Sequence, residues 1–199
     1  MLKSIAEEIT VALASNDIIK TDEIEAYNYG FELLIPKVIL YAAILTVSII
    51  TNTFLISVAF VVTLMCLRRY SGGFHCKTAE TCLLISFLIY LLVLFGYEFA
   101  QYIPNLACGI SSAISAIIIL IFAPVEDTNR PLDEYEKKLY RLKSMIALTI
   151  ILLAETIFLL FDIIGLSYIT ACSLTANAVL IILALGRCKH GKFFVEGNG

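Results

Sequence analysis

Of 199 residues, 60% are hydrophobic and only 16% are charged, with no Trp. That is too little charge to coat a soluble domain of this length, which excludes a soluble enzyme and leaves no nucleic-acid partner to expect. Long apolar runs alternate with short polar clusters, so the expected fold is all-α, a polytopic integral membrane helical bundle. The net charge of −3 is divided among separate clusters and points to no partner by itself.

In chain order, residues 1–30 lack an apolar run and carry Glu7, Glu8, Asp17, Asp22, Glu23 and Glu25, so no secretory signal is expected. Leu2, Ile5, Ile9, Ala12 and Leu13 recur at helical spacing and predict an amphipathic helix lying on the inner leaflet. Asp22 with Glu25 resembles the cap of a second short helix carrying Ile24, Tyr27 and Phe31. These N-terminal helices, 1–30, precede a membrane region, 31–199.

Six spans are predicted: Leu33–Ile50, Thr53–Leu67, Thr81–Phe95, Leu106–Ala123, Ser144–Phe161 and Leu166–Gly186. A tight turn, "TNT", separates the first two. A helix needs about 20 apolar residues to cross the hydrocarbon core, so spans two and three are short and expected to tilt, thin the bilayer or be partly re-entrant. With six spans both chain ends lie on one side, together with the polar stretches 68–80 and 124–143. All 14 Lys and Arg fall on that side and none on the other. Basic residues beside short loops stay in the cytoplasm, so both termini are expected there.

Between spans two and three lies "RRYSGGFHCKTAETC", residues 68–82. Gly72 and Gly73 break the preceding helix and let the backbone turn. Thr78 is suited to cap the next helix, which sets Cys82 near the positive end of its dipole. A thiol there, with an imidazole in reach, has the makings of a nucleophile. His75 and Cys82 are seven residues apart, roughly 10 Å of rise on a continuous helix, whereas a proton-transfer pair must approach to about 3 Å. If the two work together, the segment is not straight helix.

Other readings of this stretch stand beside that one. His75 also suits a helix cap or the head-group region, and Cys76 is a second nucleophile candidate. Metal binding by His75, Cys76 and Cys82 matches no common zinc spacing, and no cofactor is expected. Glu80 either orients His75 or simply favours the helix dipole. Cys188 with His190 forms a weaker pair within a basic tail. The six Cys make no disulfide framework, since four map to the cytoplasmic side, where thiols stay reduced.

The stretch 124–143 mixes Arg130, Lys137, Lys138, Arg141 and Lys143 with Glu126, Asp127, Asp133, Glu134 and Glu136. It reads as a topology-setting loop or, with Arg68 and Arg69, as a surface for an acidic substrate. Glu155 sits midway along span five, where an ionisable group is costly. It is expected to pair with Asn177, or with Ser or Thr of another span, or else to line a substrate path. Glu98 and Asp162 read as outer-surface charges.

"GGFHCKTAETC", preceded by "RRY" at the end of a short span, resembles the accessory gene regulator protein B (AgrB) family. "APVEDTNRPLDEYEKK" at 123–138 is similar to that family's signature after its fourth apolar segment, with Arg130 where Lys is frequent. The resemblance in layout covers nearly the whole chain. It implies a membrane cysteine endopeptidase of Gram-positive quorum sensing, catalytic over 31–199, with His75 as base and Cys82 as nucleophile. Cys76 falls where the family reserves no chemistry. The implied partner is a precursor peptide, AgrD, with an amphipathic leader and an acidic C-terminal tail. Its tail is removed and its core closes into a thiolactone or lactone. Membrane lipid and a homodimer are further expected partners. The competing reading is a non-enzymatic transporter or peptide exporter, which six spans and Glu155 would suit but which leaves residues 68–82 unexplained.

Overall fold

Hydrocarbon offers no partner to a peptide N–H or C=O, so a spanning segment must satisfy its backbone internally. The apolar runs accordingly fold as helices. The computed structural model describes residues 2–16, 18–73, 78–125 and 133–196, with 187–196 described by backbone alone. Among the described residues, seven α-helices follow in order: α1 (Leu2–Ser15), α2 (Ile24–Ile50), α3 (Phe54–Ser71), α4 (Ala79–Tyr97), α5 (Asn105–Phe122), α6 (Glu134–Leu160) and α7 (Ile164–Glu196). They include no strand, only an isolated parallel bridge between Gly72 and Val125. Helices α2 to α7 are each long and apolar enough to cross a membrane. The protein is an all-α, multi-pass membrane bundle.

The helices outrun the apolar runs that announce them. The short helix expected around Ile24, Tyr27 and Phe31 is instead the beginning of α2, which continues through Pro36 to Ile50. Its approach is braced by Glu23, whose Oε2 accepts the Lys20 N–H at 3.3 Å, rather than by Asp22 and Glu25. The expected loop 124–143 is helix from Glu134 onward, and Arg68 to Ser71 still belong to α3. Lys, Arg, Glu and Leu are good helix formers, so a helix persists past the point where hydropathy registers it. Spans two and three lengthen for the same reason, to 18 and 19 residues in α3 and α4. At about 1.5 Å per residue that is roughly 27–29 Å, close to the ~30 Å hydrocarbon core.

The expected turns are present. Asn52 takes φ 55° between α2 and α3, and Gly72 and Gly73 take φ 70° and 132° after α3. Asp133 caps α6, its Oδ1 accepting the Glu136 N–H at 2.7 Å. Asp162, at φ 57° between α6 and α7, accepts a hydrogen bond from Asn105 at the start of α5.

By packing, the chain divides into two units: Met1–Asn52 with Cys76–Leu91, and Thr53–His75 with Leu92–Gly199. In the first, α1 packs along α2 and buries Leu2, Ala6 and Thr10, a stripe at four-residue spacing. Lys3 pairs with Glu32 of α2 at 3.8 Å, and the Leu2 N–H reaches Glu80 Oε1 of α4 at 3.5 Å. The face packed on α2 differs from the Ile5 and Ile9 side, the one expected to face the leaflet. Small Ala6 and Thr10 admit close approach, whereas Ile5 and Ile9 stay exposed on the flank.

The second unit is built on α7, against which α3, α5 and α6 all pack. Its core joins Leu67 of α3, Ala116 and Ile119 of α5, Leu148 and Ile151 of α6, and Leu174, Ala178, Ile181 and Ala184 of α7. Lipid is as apolar as leucine, so association within a membrane relies on close packing and interhelical hydrogen bonds. Both are present here. Alanines and serines line the contact faces, and Thr175 of α7 shares its hydroxyl with Ser111 and Ser115 of α5 at 2.8 and 3.2 Å. The large apolar side chains Ile110, Ile114, Ile117 and Ile121 point outward from α5.

Candidate functional site

Thr78 performs the capping role its sequence position suggested. Its Oγ1 accepts the Thr81 N–H at 3.3 Å and lies 2.7 Å from the Thr81 hydroxyl, while its carbonyl accepts the Cys82 N–H at 3.1 Å. The cap fixes where α4 begins. Cys82 therefore sits four residues past the cap, half-buried and reduced, near the positive end of the helix dipole. Glu80 is exposed in the first turn of α4, where a carboxylate complements that dipole, and it also receives the α1 N–H described above. Cys66, Cys108 and Cys172 are likewise free thiols.

His75, Cys76 and Arg130 lie outside the described residues, as do Glu126, Asp127 and the Asn-Arg-Pro-Leu portion of the second motif. The same is true of the side chains of Cys188 and His190. Among the described residues no cluster of three His, Cys, Asp or Glu could hold a metal ion.

The basic residues gather where α3 ends and α6 begins. Arg68 and Arg69 occupy the last turn of α3. The Tyr70 ring has the Arg69 guanidinium 5.9 Å from its centroid, Lys143 Nζ at 5.8 Å and the Tyr140 ring at 6.3 Å. Lys138, Arg141 and Lys143 are exposed, and Lys137 forms an ion pair with Glu134 at 3.3 Å. The structure thus joins Arg69 and Lys143 around one aromatic ring. The basic groups here are exposed or half-buried, with Glu134 and Glu136 in the first turn of α6.

The end of α3 is tied down closely. The Val125 N–H donates to the Ser71 carbonyl at 3.0 Å, which pairs Gly72 with Val125. A Cβ on Gly72 would stand 2.2 Å from the Val125 carbonyl oxygen, and its φ is positive as well, so only glycine fits. The Ser71 hydroxyl, fully buried, donates to Asn177 Oδ1 of α7 at 3.0 Å.

Glu155 is 2% exposed. Its Oε1 accepts from Ser112 of α5 at 3.2 Å and from Ser167 of α7 at 3.5 Å, while Oε2 is buried with no hydrogen-bond partner among the described residues. Asn177 partners Ser71 instead. Both Glu155 and Asn177 therefore bridge helices, each to a different neighbour.

Sequence reasoning missed two features here. The Asp133 cap had a readable signal, Asp-x-x-Glu ahead of a helix-forming run. The pairing of Ser71 with Asn177 spans 106 positions and had none.

The sequence profile described as "Accessory gene regulator B" matches residues 6–185. An AgrB-like protein of Listeria innocua is 31% identical over 154 residues, 74% of this chain and 73% of its own. A second AgrB-like protein of Clostridium perfringens strain 13 is 30% identical over 165 residues, 79% and 77% of the two chains. One from C. perfringens strain SM101 is 26% identical over 192 residues, 92% and 86%. No solved structure matches the chain.

The Glu155 arrangement predicts a graded response to substitution. Glu155→Gln keeps an acceptor facing Ser112 and Ser167 and should melt close to wild type in detergent. Glu155→Ala removes the acceptor and leaves a cavity, costing about 2 kcal/mol or more. An alanine variant with an unchanged thermal midpoint would show that the buried carboxylate contributes no stability.

Proposed function

The chain belongs to the accessory gene regulator B family, which gives it a role in accessory gene regulator peptide processing, and from that premise we propose that it is a membrane cysteine endopeptidase. Its substrate is a precursor peptide with an amphipathic leader, a short core and an acidic C-terminal tail. Cys82 is the nucleophile and His75 the general base, both acting on the cytoplasmic side of the cell membrane.

The observation that carries this reading is the Thr78 cap, which starts α4 four residues before Cys82. His75 takes the Cys82 proton, and the sulfur attacks the carbonyl carbon joining core to tail. The tetrahedral oxyanion needs donors already aimed at it. Backbone N–H groups in the first turn of α4, beside Cys82, are the candidate donors. His75 returns its proton to the departing tail amine. The carbon–nitrogen bond breaks, leaving the core as a thioester on Cys82.

A thiol or hydroxyl within the core then attacks that thioester, forming the ring and freeing Cys82. With a thiol this second step exchanges one thioester for another and is nearly balanced. The first step, from amide to thioester, is uphill, so removal of the released tail must draw the reaction forward. Holding the core nucleophile beside the thioester favours ring closure over hydrolysis, since effective molarities in well-oriented systems reach about 10⁵ M or more.

The basic surface at the α3–α6 junction supplies a reason for the acidic tail. Arg68, Arg69, Lys137, Lys138, Arg141 and Lys143, with Arg130, attract it and steer the cleavage site toward the membrane surface. Glu80 complements the α4 dipole, and orienting His75 is the second role proposed for it.

Co-expression with a candidate precursor tests the assignment. Cys82→Ala and His75→Ala should abolish tail removal, while Cys76→Ala retains it; cleavage surviving in the Cys82 variant, or absent in every background, overturns it. Charge neutralisation at Arg69 and Lys143 should slow processing more at about 0.01 M salt, where the Debye length is about 30 Å, than at about 1 M, where it is about 3 Å. A deficit of equal size at both salt concentrations would contradict electrostatic capture.

A further inference from the structure

We propose that Asn177 is a positioning residue for the segment that carries the catalytic base, acting through Ser71. This inference rests on the assignment of His75 as base, and deepens it.

Two consecutive glycines follow α3, and a chain that can adopt so many conformations has no intrinsic reason to deliver His75 to one place. His75 lies only four residues beyond Ser71. The place where the backbone leaves α3 at Ser71 and Gly72 therefore limits the reach of residue 75. That place is fixed from two sides. The Ser71 carbonyl accepts the Val125 N–H at 3.0 Å, and Gly72 lies flat against the Val125 carbonyl. The Ser71 hydroxyl is held by Asn177 Oδ1 at 3.0 Å. Gly73 is buried beside Leu180, one turn further along the same α7.

The position is costly for an amide. Asn177 is fully buried, and its Nδ2 has no hydrogen-bond partner among the described residues. A buried donor left unpaired is destabilising, and an apolar side chain would fill this site in α7 without that cost. What the amide provides in return is an acceptor at the one hydroxyl adjoining the double glycine. Side chains of the reaction itself are assigned elsewhere, so Asn177 acts on geometry and leaves substrate capture untouched.

The test uses the purified full-length protein with a synthetic precursor, and two readouts. One is the kcat and KM of tail removal. The other is the pH dependence of Cys82 alkylation by iodoacetamide, followed by mass spectrometry of the Cys82 peptide so that other thiols do not contribute. His75→Ala supplies the reference for a site without its base. Asn177→Leu should lower kcat about tenfold or more with KM within about twofold, the pattern of a lost transition-state arrangement. Its alkylation profile should shift toward that of His75→Ala. Asn177→Asp, which keeps the acceptor, should restore both.

Ser71→Ala should reproduce the Asn177→Leu effect, and combining the two should add nothing further. Because Ser71→Ala removes one oxygen and little volume, it serves should the leucine variant fail to fold. Wild-type kcat and alkylation in Ser71→Ala or in folded Asn177→Leu would overturn the proposal. If instead His75→Ala matched wild type in both readouts, the assignment of the base would fall first.

Discussion

A hydroxyl, amide or carboxyl group buried in hydrocarbon has no water to turn to, and the helices around α7 are arranged by where such groups find one another. Ser167 of α7 and Ser112 of α5 converge on Glu155 of α6. Thr175 of α7 joins Ser111 and Ser115 of α5. Asn177 of α7 reaches Ser71 at the end of α3. Each contact couples α7 to a different neighbour, which dispersion alone would not do selectively. Close approach is possible because Ala116, Ala178 and Ala184 leave room at the same interfaces.

This arrangement gives physical meaning to two motifs that are far apart in the chain. Gly72 of the first stretch lies against Val125 of the second, at a distance that forbids any larger side chain at Gly72. Ser71 is simultaneously bonded to Val125 through its carbonyl and to α7 through its hydroxyl. The glycine pair thus begins from a fixed point. Thr78, through its side chain and carbonyl, sets the first turn of α4 ahead of Cys82.

The bundle was legible because apolar runs in a chain this poor in charge have no alternative to spanning helices. Their ends were not. Glu80 at the start of α4, Arg68 to Ser71 at the end of α3, and the charge-rich run Glu134 to Lys143 at the start of α6 are helical but polar, and hydropathy is blind to them. Thr78 and the double glycine could be read because caps and positive φ depend on local chemistry. The contact of α1 with α2 through Leu2, Ala6 and Thr10 had no signal, since small residues at a helix contact do not stand out by hydropathy. Glu155 declared itself as a group requiring partners, yet nothing in the sequence distinguished Ser112 and Ser167 from many other hydroxyls. Pairings between distant helices are set by register and rotation, which a single sequence does not encode locally.

The central claim is that the sulfur at the head of α4 becomes acylated by the peptide core. It is tested most directly with a precursor whose core nucleophile is replaced by Ala, so that ring closure is blocked after the first step. With the released tail removed as it forms, this peptide should accumulate as a covalent adduct on Cys82, seen as a mass increase equal to leader plus core and released by hydroxylamine. Tail removal proceeding with no adduct at Cys82, or with the adduct on another cysteine, would contradict it.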